Sequence, residues 1–330
     1  MSPALPSRDA IVATARESIA RGSKSFSAAS MLFDRRTRER AWLLYAWCRR
    51  CDDIVDGQDH GHGMTRVADP HARLERVRSM TEAALRGQVV GDPAFDALRI
   101  VAAECAIPPE WPRDLLRGFE LDAQGWRPRT EDDLYRYCYH VAGVVGLMMA
   151  VVMGVRPDDE PTLDRACDLG LAFQLANMAR DVREDTQAGR CYLPRDWLEE
   201  QGIAPDALLE PVSRPGLAIL AARLAHRAEA CEASARGGTP ALSFRSAWAV
   251  LAAAGIYGDI ARRVGARGEA ALDRRVTTSA AAKLGWIARA AAQAAERRRY
   301  AGEARPEGLW RRTLFPASAG EGQAALATPG

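Results

Sequence analysis

Residues 41–56 read AWLLYAWCRRCDDIVD, an apolar helical body that ends in three carboxylates, Asp52, Asp53 and Asp56. Read as a helix, the steps 45–49, 49–52, 49–53 and 52–56 are all three or four residues, so Tyr45, Arg49, Asp52 and Asp56 share one face. Gly57 and the polar stretch after it end the helix and leave the acids in its last turn. The C-terminal end of a helix already carries partial negative charge, so acids there repel the dipole and one another unless a cation sits among them. Taken alone, the pattern also describes an ordinary solvated helix end. A second site of the same kind decides between the two.

That second site lies in 163–185, which contains CDLGLAFQLANMARDVRED. Gln174, Asn177, Asp181 and Asp185 follow one another at steps of three, four and four, with Glu184 and Arg180 beside them. Again the acids fall in the last turn before a breaker region, Thr186 to Gly189. Two long helices, each apolar in its body and acidic at its end, would bring four to six carboxylates together if those ends meet. Oxygen-only ligands select hard ions, and Mg²⁺ in particular binds through one or two carboxylates plus substrate phosphates. Arg49, Arg180, Lys24 and Ser23 or Ser25 supply donors for such phosphates. The apolar helix bodies leave a greasy pocket beneath the charges. The expected ligand therefore has a diphosphate head and a hydrocarbon tail.

Around these helices the chain reads as helical throughout, with no run of strand alternation. Expected helices span 9–21, 35–56, 71–86, 93–105, 109–121, a segment from Thr130 to Gly154, 163–185, 216–235, 241–264 and 279–300. Asp34 is the expected N-cap of the long acidic helix, and Thr130 to Asp133 offers a capping box. Gly143, Gly146 and Gly154 lower helix propensity by about 1 kcal/mol each at interior sites, which is tolerable where a neighbour must come close. No composition break divides the chain. The expectation is one all-α domain over 1–315, a helical bundle, with 316–330 as a disordered tail.

Composition sets further bounds. The 330 residues are 48 % hydrophobic and 27 % charged, and 45 basic against 43 acidic residues leave a formal charge of +2. Such balance gives no electrostatic footprint for nucleic acid. Only Lys24 and Lys283 are lysines, a skew that reads as genomic composition bias. The seven cysteines are odd in number and scattered, which argues for reduced thiols and a cytoplasmic location. Cys48-x-x-Cys51 sits inside a helical pattern, where a redox pair is not expected. His60 and His62 lack the partners of a metal site. MSPALPSRDA has no apolar core of secretion-signal length. The apolar run 141–155 spans roughly 22 Å, short of the ~30 Å hydrocarbon core, so a buried helix is expected and no membrane span.

Six segments, GSKSFSAAS (22–30), LLYAWCRRCDDIVD (43–56), YRYCYHVAGVVGLMMA (135–150), LGLAFQLANMARDVRED (169–185), RCYLPRDWL (190–198) and RSAWAV (245–250), carry a family resemblance. The chain resembles the squalene/phytoene synthase family, and within it the bacterial phytoene-forming members. The resemblance implies a class I isoprenoid synthase fold, a helical bundle around a deep channel. It implies Mg²⁺-dependent, head-to-head condensation of two geranylgeranyl diphosphates through a cyclopropyl (prephytoene) diphosphate. Asp52, Asp56, Asn177, Asp181 and Asp185 fall on metal-binding positions. Gly22, Ser23, Lys24, Ser25, Tyr45, Arg49, Gln174 and Arg180 fall on diphosphate-contacting positions, and Tyr137 and Tyr257 on aromatic positions of the reaction chamber. Of these, Tyr45, Arg49, Tyr137, Gln174 and Tyr257 form the implied catalytic set, with Tyr257 also on the substrate side. Mn²⁺ is an expected substitute for Mg²⁺, and no nicotinamide cofactor is expected. A relative acting on farnesyl diphosphate and a non-catalytic assembly factor of the same fold are the alternatives. Downstream carotenoid enzymes are implied as partners, and Arg297 to Arg299 are candidates for peripheral contact with a membrane. Arg275 is a further candidate for a diphosphate contact.

Overall fold

The computed structural model describes residues 6–57 and 69–312, without the side chains of Lys24, Ser25 and Asp56. His60, His62 and the tail from Pro316 lie outside these residues. The described residues form thirteen α-helices and no strand. In order they are α1 (Arg8–Gly22), α2 (Lys24–Ser30), α3 (Arg35–Asp56), α4 (Pro70–Leu85), α5 (Pro93–Cys105), α6 (Glu110–Ala123) and α7 (Glu131–Cys138). After a π-helical turn at Tyr139–Gly143 come α8 (Val144–Val152), α9 (Glu160–Gln187), α10 (Arg195–Glu200), α11 (Arg214–Ala235), α12 (Phe244–Arg267) and α13 (Ala280–Ala295).

The long acidic helix starts and stops for local reasons. The Asp34 carboxylate accepts the Thr37 backbone N–H at 3.0 Å, satisfying one of the donors that the first turn leaves open. At the other end Gly57 takes φ 64°, a left-handed conformation that costs glycine nothing, and its N–H returns to the Asp53 carbonyl. Thr130 and Asp133 form the expected capping box on α7.

One side of α3 packs against α1, α4 and α5, where Leu43, Trp47 and Cys51 are fully buried. Burying a large aliphatic side chain is worth about 1.5–3 kcal/mol, so this face fixes the helix and leaves the other free for chemistry. An ion network ties α1 down: Arg8 binds Glu39 at 2.8 Å and Glu104 at 2.6 Å, and Arg40 binds Glu104 at 2.8 Å.

α9 is the central helix and packs against α8, α11 and α12. Its crossing with the α7–α8 segment is set by glycine. A Cβ on Gly146 would land on the Ala166 carbonyl, and one on Gly170 on the Ala142 carbonyl and 2.7 Å from the Gly143 Cα. Gly154 differs from its neighbours: its φ of 97° places it in the turn that ends α8. Glu131–Val152 is the one helix among the described residues long and apolar enough to cross a membrane. In the fold 56 % of its most apolar window is buried, with Val144, Leu147 and Met148 fully enclosed.

Two departures from the sequence pattern matter. The expected helix 279–300 stops at Ala295 and continues as a 3₁₀ turn, Arg297–Tyr300. There Arg297 turns inward, donating to the Leu242 carbonyl at 3.1 Å and the Ala294 carbonyl at 3.0 Å. Beyond it, residues 303–312 strap α7 and α9 together. Arg305 grips the fully buried Asp168 at 2.9 and 2.6 Å, and Arg312 reaches Asp164 at 2.8 Å. Trp310 donates to Asp132 at 3.0 Å and stacks on Tyr135. A buried carboxylate is tolerated only when paired in this way.

Candidate active site

The free face of α3 forms one wall of a cavity. Arg49 donates through Nε to the Tyr45 hydroxyl at 3.4 Å and through Nη1 to Asp52 Oδ2 at 2.5 Å, with its guanidinium 5.9 Å from the Tyr45 ring centroid. Phe26 of α2 stacks on Tyr45 at 5.6 Å. Burial pushes the Tyr45 phenol up, against the nearby Arg49, so it remains a neutral hydroxyl. Asp53 is buried at 8 % exposure and is not part of the cavity lining. Cys48 faces the cavity and Cys51 the core. Burial raises the Cys48 thiol to about 12, which makes this C-x-x-C a packing pair with unreactive thiols.

Gly22 serves the site by being small. A Cβ there would strike the Tyr45 hydroxyl and come within 3.5 Å of Arg49 Nε. The Ser23 hydroxyl caps α2, accepting the Phe26 N–H at 3.2 Å, and borders an apolar chamber. The side chains of Lys24 and Ser25 lie outside the described residues.

The opposite wall is α9, from which Gln174, Asn177, Arg180, Asp181 and Asp185 line the same cavity. Asp181 is gripped twice: by Arg180 of its own helix, with Nε at 2.7 Å, and by Arg275, with Nε at 2.8 Å and Nη2 at 3.0 Å. Burial alone would raise Asp181, but the hydrogen bonds from the two arginines outweigh it and hold the carboxyl below its ordinary value. Asp185 goes the other way. Burial first, and then the charge of Asp181, raise it to about 7 despite Arg190 nearby. Glu184 is exposed and absent from the lining.

A third wall was not marked by any sequence spacing. Asp122 of α6 accepts hydrogen bonds from the Tyr137 hydroxyl at 2.9 Å and the Tyr192 hydroxyl at 3.0 Å. The two phenol rings stack at 5.0 Å, and Trp126 stacks behind Tyr137 at 5.7 Å. All three polar residues line the cavity with the α3 and α9 acids.

This polar cavity has a volume of about 370 Å³ and is lined by three arginines (Arg49, Arg180, Arg190) and four aspartates (Asp52, Asp122, Asp181, Asp185). It shares Tyr45, Cys48, Arg49, Val141 and Val145 with a second chamber of about 430 Å³, whose other walls are almost wholly apolar. Tyr257 lines that chamber, stacked on Phe173 at 4.3 Å. The paired chambers suit a ligand with an anionic head and a hydrocarbon body.

Asp52, Asn177, Asp181 and Asp185 offer oxygen donors only, a donor set that fits a hard divalent cation. No group of three or more His, Cys, Asp or Glu stands ready around one point among the described residues. The donors are split between two walls, and Asp181 is held by arginine. The set therefore fits a cation whose shell is completed by phosphate oxygens. Asp56 sits on α3 in register with Asp52, its side chain outside the described residues.

A family model described as squalene/phytoene synthase matches residues 19–282. The chain is 46 % identical over 302 residues to a 15-cis-phytoene synthase of Paracoccus sp. (strain N81106 / MBIC 01143), covering 92 % of this chain and 98 % of that one. It is 45 % identical to the phytoene synthase of Pseudescherichia vulneris, covering 91 % and 97 %. Among solved structures, a dehydrosqualene synthase in complex with ligand superposes with a TM-score of 0.77 at 29 % identity, covering 88 % of this chain and 98 % of that one. A squalene synthase from Alicyclobacillus acidocaldarius superposes at 0.70 with 25 % identity, covering 79 % and 95 %.

Proposed function

The chain belongs to the squalene/phytoene synthase family, and on that premise we propose that it is a prenyltransferase joining two geranylgeranyl diphosphates head to head into phytoene. The observation that carries this assignment is the junction of a charged cavity with an apolar chamber at Tyr45 and Arg49. Identity to the phytoene synthases quoted, 45–46 %, exceeds the 29 % to the dehydrosqualene synthase, which favours the C20 substrate over farnesyl diphosphate.

Arg49, Arg180 and Arg275 bind and orient the diphosphate, and the Tyr45 hydroxyl donates to its oxygens. Asp52, Asn177, Asp181 and Asp185, with Asp56 on the same helix face as Asp52, would hold Mg²⁺, or Mn²⁺ in its place. When bound, such an ion supplies Lewis-acid stabilisation of the charge on the departing diphosphate. Apolar walls around the tail keep water from the allylic cation, which the double bond of the second substrate captures, with loss of one proton from the carbon that bore the departed diphosphate, as a cyclopropyl diphosphate. Tyr257 and Phe173 offer ring faces to positive charge, an interaction worth about 0.5–2 kcal/mol. A second ionisation, rearrangement and proton loss give the hydrocarbon.

The product dissolves in lipid, so we place the protein in the cytoplasm at a membrane surface. Of the three candidate arginines, Arg298 and Arg299 are exposed, Arg299 while bonded to Glu296 and Tyr300, whereas Arg297 is committed to backbone carbonyls.

Asp52→Asn and Asp181→Asn test the assignment. Each is expected to cut pyrophosphate release from geranylgeranyl diphosphate by at least about a hundredfold, the scale of losing one transition-state electrostatic contact, with circular dichroism unchanged. Turnover that survives both substitutions, or a wild-type protein without turnover, as a non-catalytic assembly factor would be, contradicts it.

A further inference from the structure

The reaction ends when a carbocation loses a proton, and some group must accept it. The α3 and α9 walls are occupied by groups that bind anion and cation. The third wall is different: a half-buried carboxylate with two phenols already donating to it, all three facing the cavity where the reacting carbons leave their diphosphates.

We propose that Asp122 is a positioning residue for this last step, aligning Tyr137 and Tyr192 and taking up the proton that Tyr137 passes on. The proposal rests on the functional assignment above. The C–H bond beside the cationic carbon breaks, and its electron pair becomes the new π bond. The proton binds the Tyr137 oxygen while the phenol's own proton crosses the 2.9 Å to Asp122. Tyr137 stays neutral, Asp122 becomes a carboxylic acid, and it returns the proton to water after the product leaves. No oxidant, reductant or further reactant is required.

The surroundings suit this role. Tyr137 is 3 % exposed and held between Trp126 and Tyr192, so its hydroxyl has one fixed direction. Burial, and next the Asp122 charge, keep its phenol from ionising, so it relays a proton without holding charge itself. Tyr192 supplies the second hydrogen bond that fixes the carboxylate plane. The three residues come from α6, α7 and the segment before α10, so a purely local structural need does not account for their meeting.

The test is product analysis with purified full-length protein, a divalent cation and geranylgeranyl diphosphate. Asp122→Asn keeps size and one acceptor but cannot take a proton at neutral pH. It is expected to keep pyrophosphate release within about tenfold of wild type while the phytoene share of C40 products falls at least tenfold, replaced by water-captured C40 alcohols. Asp122→Glu restores phytoene, at least in part. Should Asp122→Asn fail to fold, Tyr137→Phe leaves Asp122 bound to Tyr192 and is expected to lower the phytoene share of C40 products at least tenfold, whatever its effect on pyrophosphate release. The proposal is overturned if Asp122→Asn, or in its place Tyr137→Phe, slows turnover but leaves the product share unchanged. It is also overturned if Asp122→Glu behaves as Asp122→Asn does. A wild-type protein that makes no C40 hydrocarbon overturns the functional assignment itself, and this proposal with it.

Discussion

Arg275 holds Asp181 through two parallel hydrogen bonds, at 2.8 and 3.0 Å, across 94 residues of sequence. Together with Arg180 it occupies a carboxylate that the proposed function assigns to a divalent cation. An incoming diphosphate would compete for the same two arginines and so release Asp181. Cation and diphosphate should therefore bind as a coupled pair. Charge-assisted hydrogen bonds are worth about 1.5–3 kcal/mol each, so the coupling should be roughly ten- to a hundredfold in affinity. Mn²⁺ titration followed by electron paramagnetic resonance, with and without inorganic pyrophosphate, measures it. Arg275→Ala is expected to tighten Mn²⁺ binding alone and to shrink the gain from pyrophosphate; an unchanged gain contradicts the exchange.

Gly22 makes a second prediction. Its backbone is ordinary helix, so alanine is conformationally acceptable and the cost falls on Tyr45. Displacing a positioned hydroxyl by about 1 Å can cost on the order of a hundredfold in rate. Gly22→Ala should lower kcat/KM by ten- to a hundredfold with a melting temperature close to wild type. Equal activity would mean that Tyr45 is not held as described.

Gly170 tests the packing beneath the site. The methyl of Gly170→Ala meets the backbone of Ala142 and Gly143 in the π-helical turn that crosses α9, which cannot yield as a side chain could. Overpacking of this kind costs about 1–3 kcal/mol. Urea denaturation should give a lower midpoint with an unchanged slope. A midpoint equal to wild type would contradict the close approach.

Acid stability follows from the network that anchors α1. Arg35 first, and then Arg8, lower Glu39, while for Glu104 burial raises and the bonds from Arg8 and Arg40 more than reverse it. Both folded values lie below the ordinary 4.5, so their stabilisation is complete above that pH and is lost as pH falls through the folded values. Glu104→Gln should be less stable by about 1–3 kcal/mol at pH 7, with the gap closing below pH 4.5. A gap independent of pH contradicts this.

The two acidic helices were legible because a helix face repeats every three or four residues, and Tyr45, Arg49, Asp52, Gln174, Asn177 and Asp181 all obey that spacing. The structure brings them to one cavity. Asp122 and Tyr192 carried no such mark: their meeting with Tyr137 spans 15 to 70 residues, and only the tertiary fold creates it. The π turn at Tyr139–Gly143 was equally hidden, since its residues fit an α-helix as well. Arg275 and the 303–312 strap act through long-range arginine–carboxylate pairs, for which the sequence offers too many arginines to choose among. The Ser23 hydroxyl accepts the Phe26 backbone N–H as the cap of α2, a short helix that the spacing of GSKSFSAAS does not mark.

The central claim is tested most directly by incubating the purified protein and Mg²⁺ with geranylgeranyl or farnesyl diphosphate and identifying the hydrocarbon by mass spectrometry. Phytoene is expected from the C20 substrate, with two pyrophosphates released per product and no need for NADPH. A C30 product alone, or a hydrocarbon formed only when NADPH is present, would contradict it.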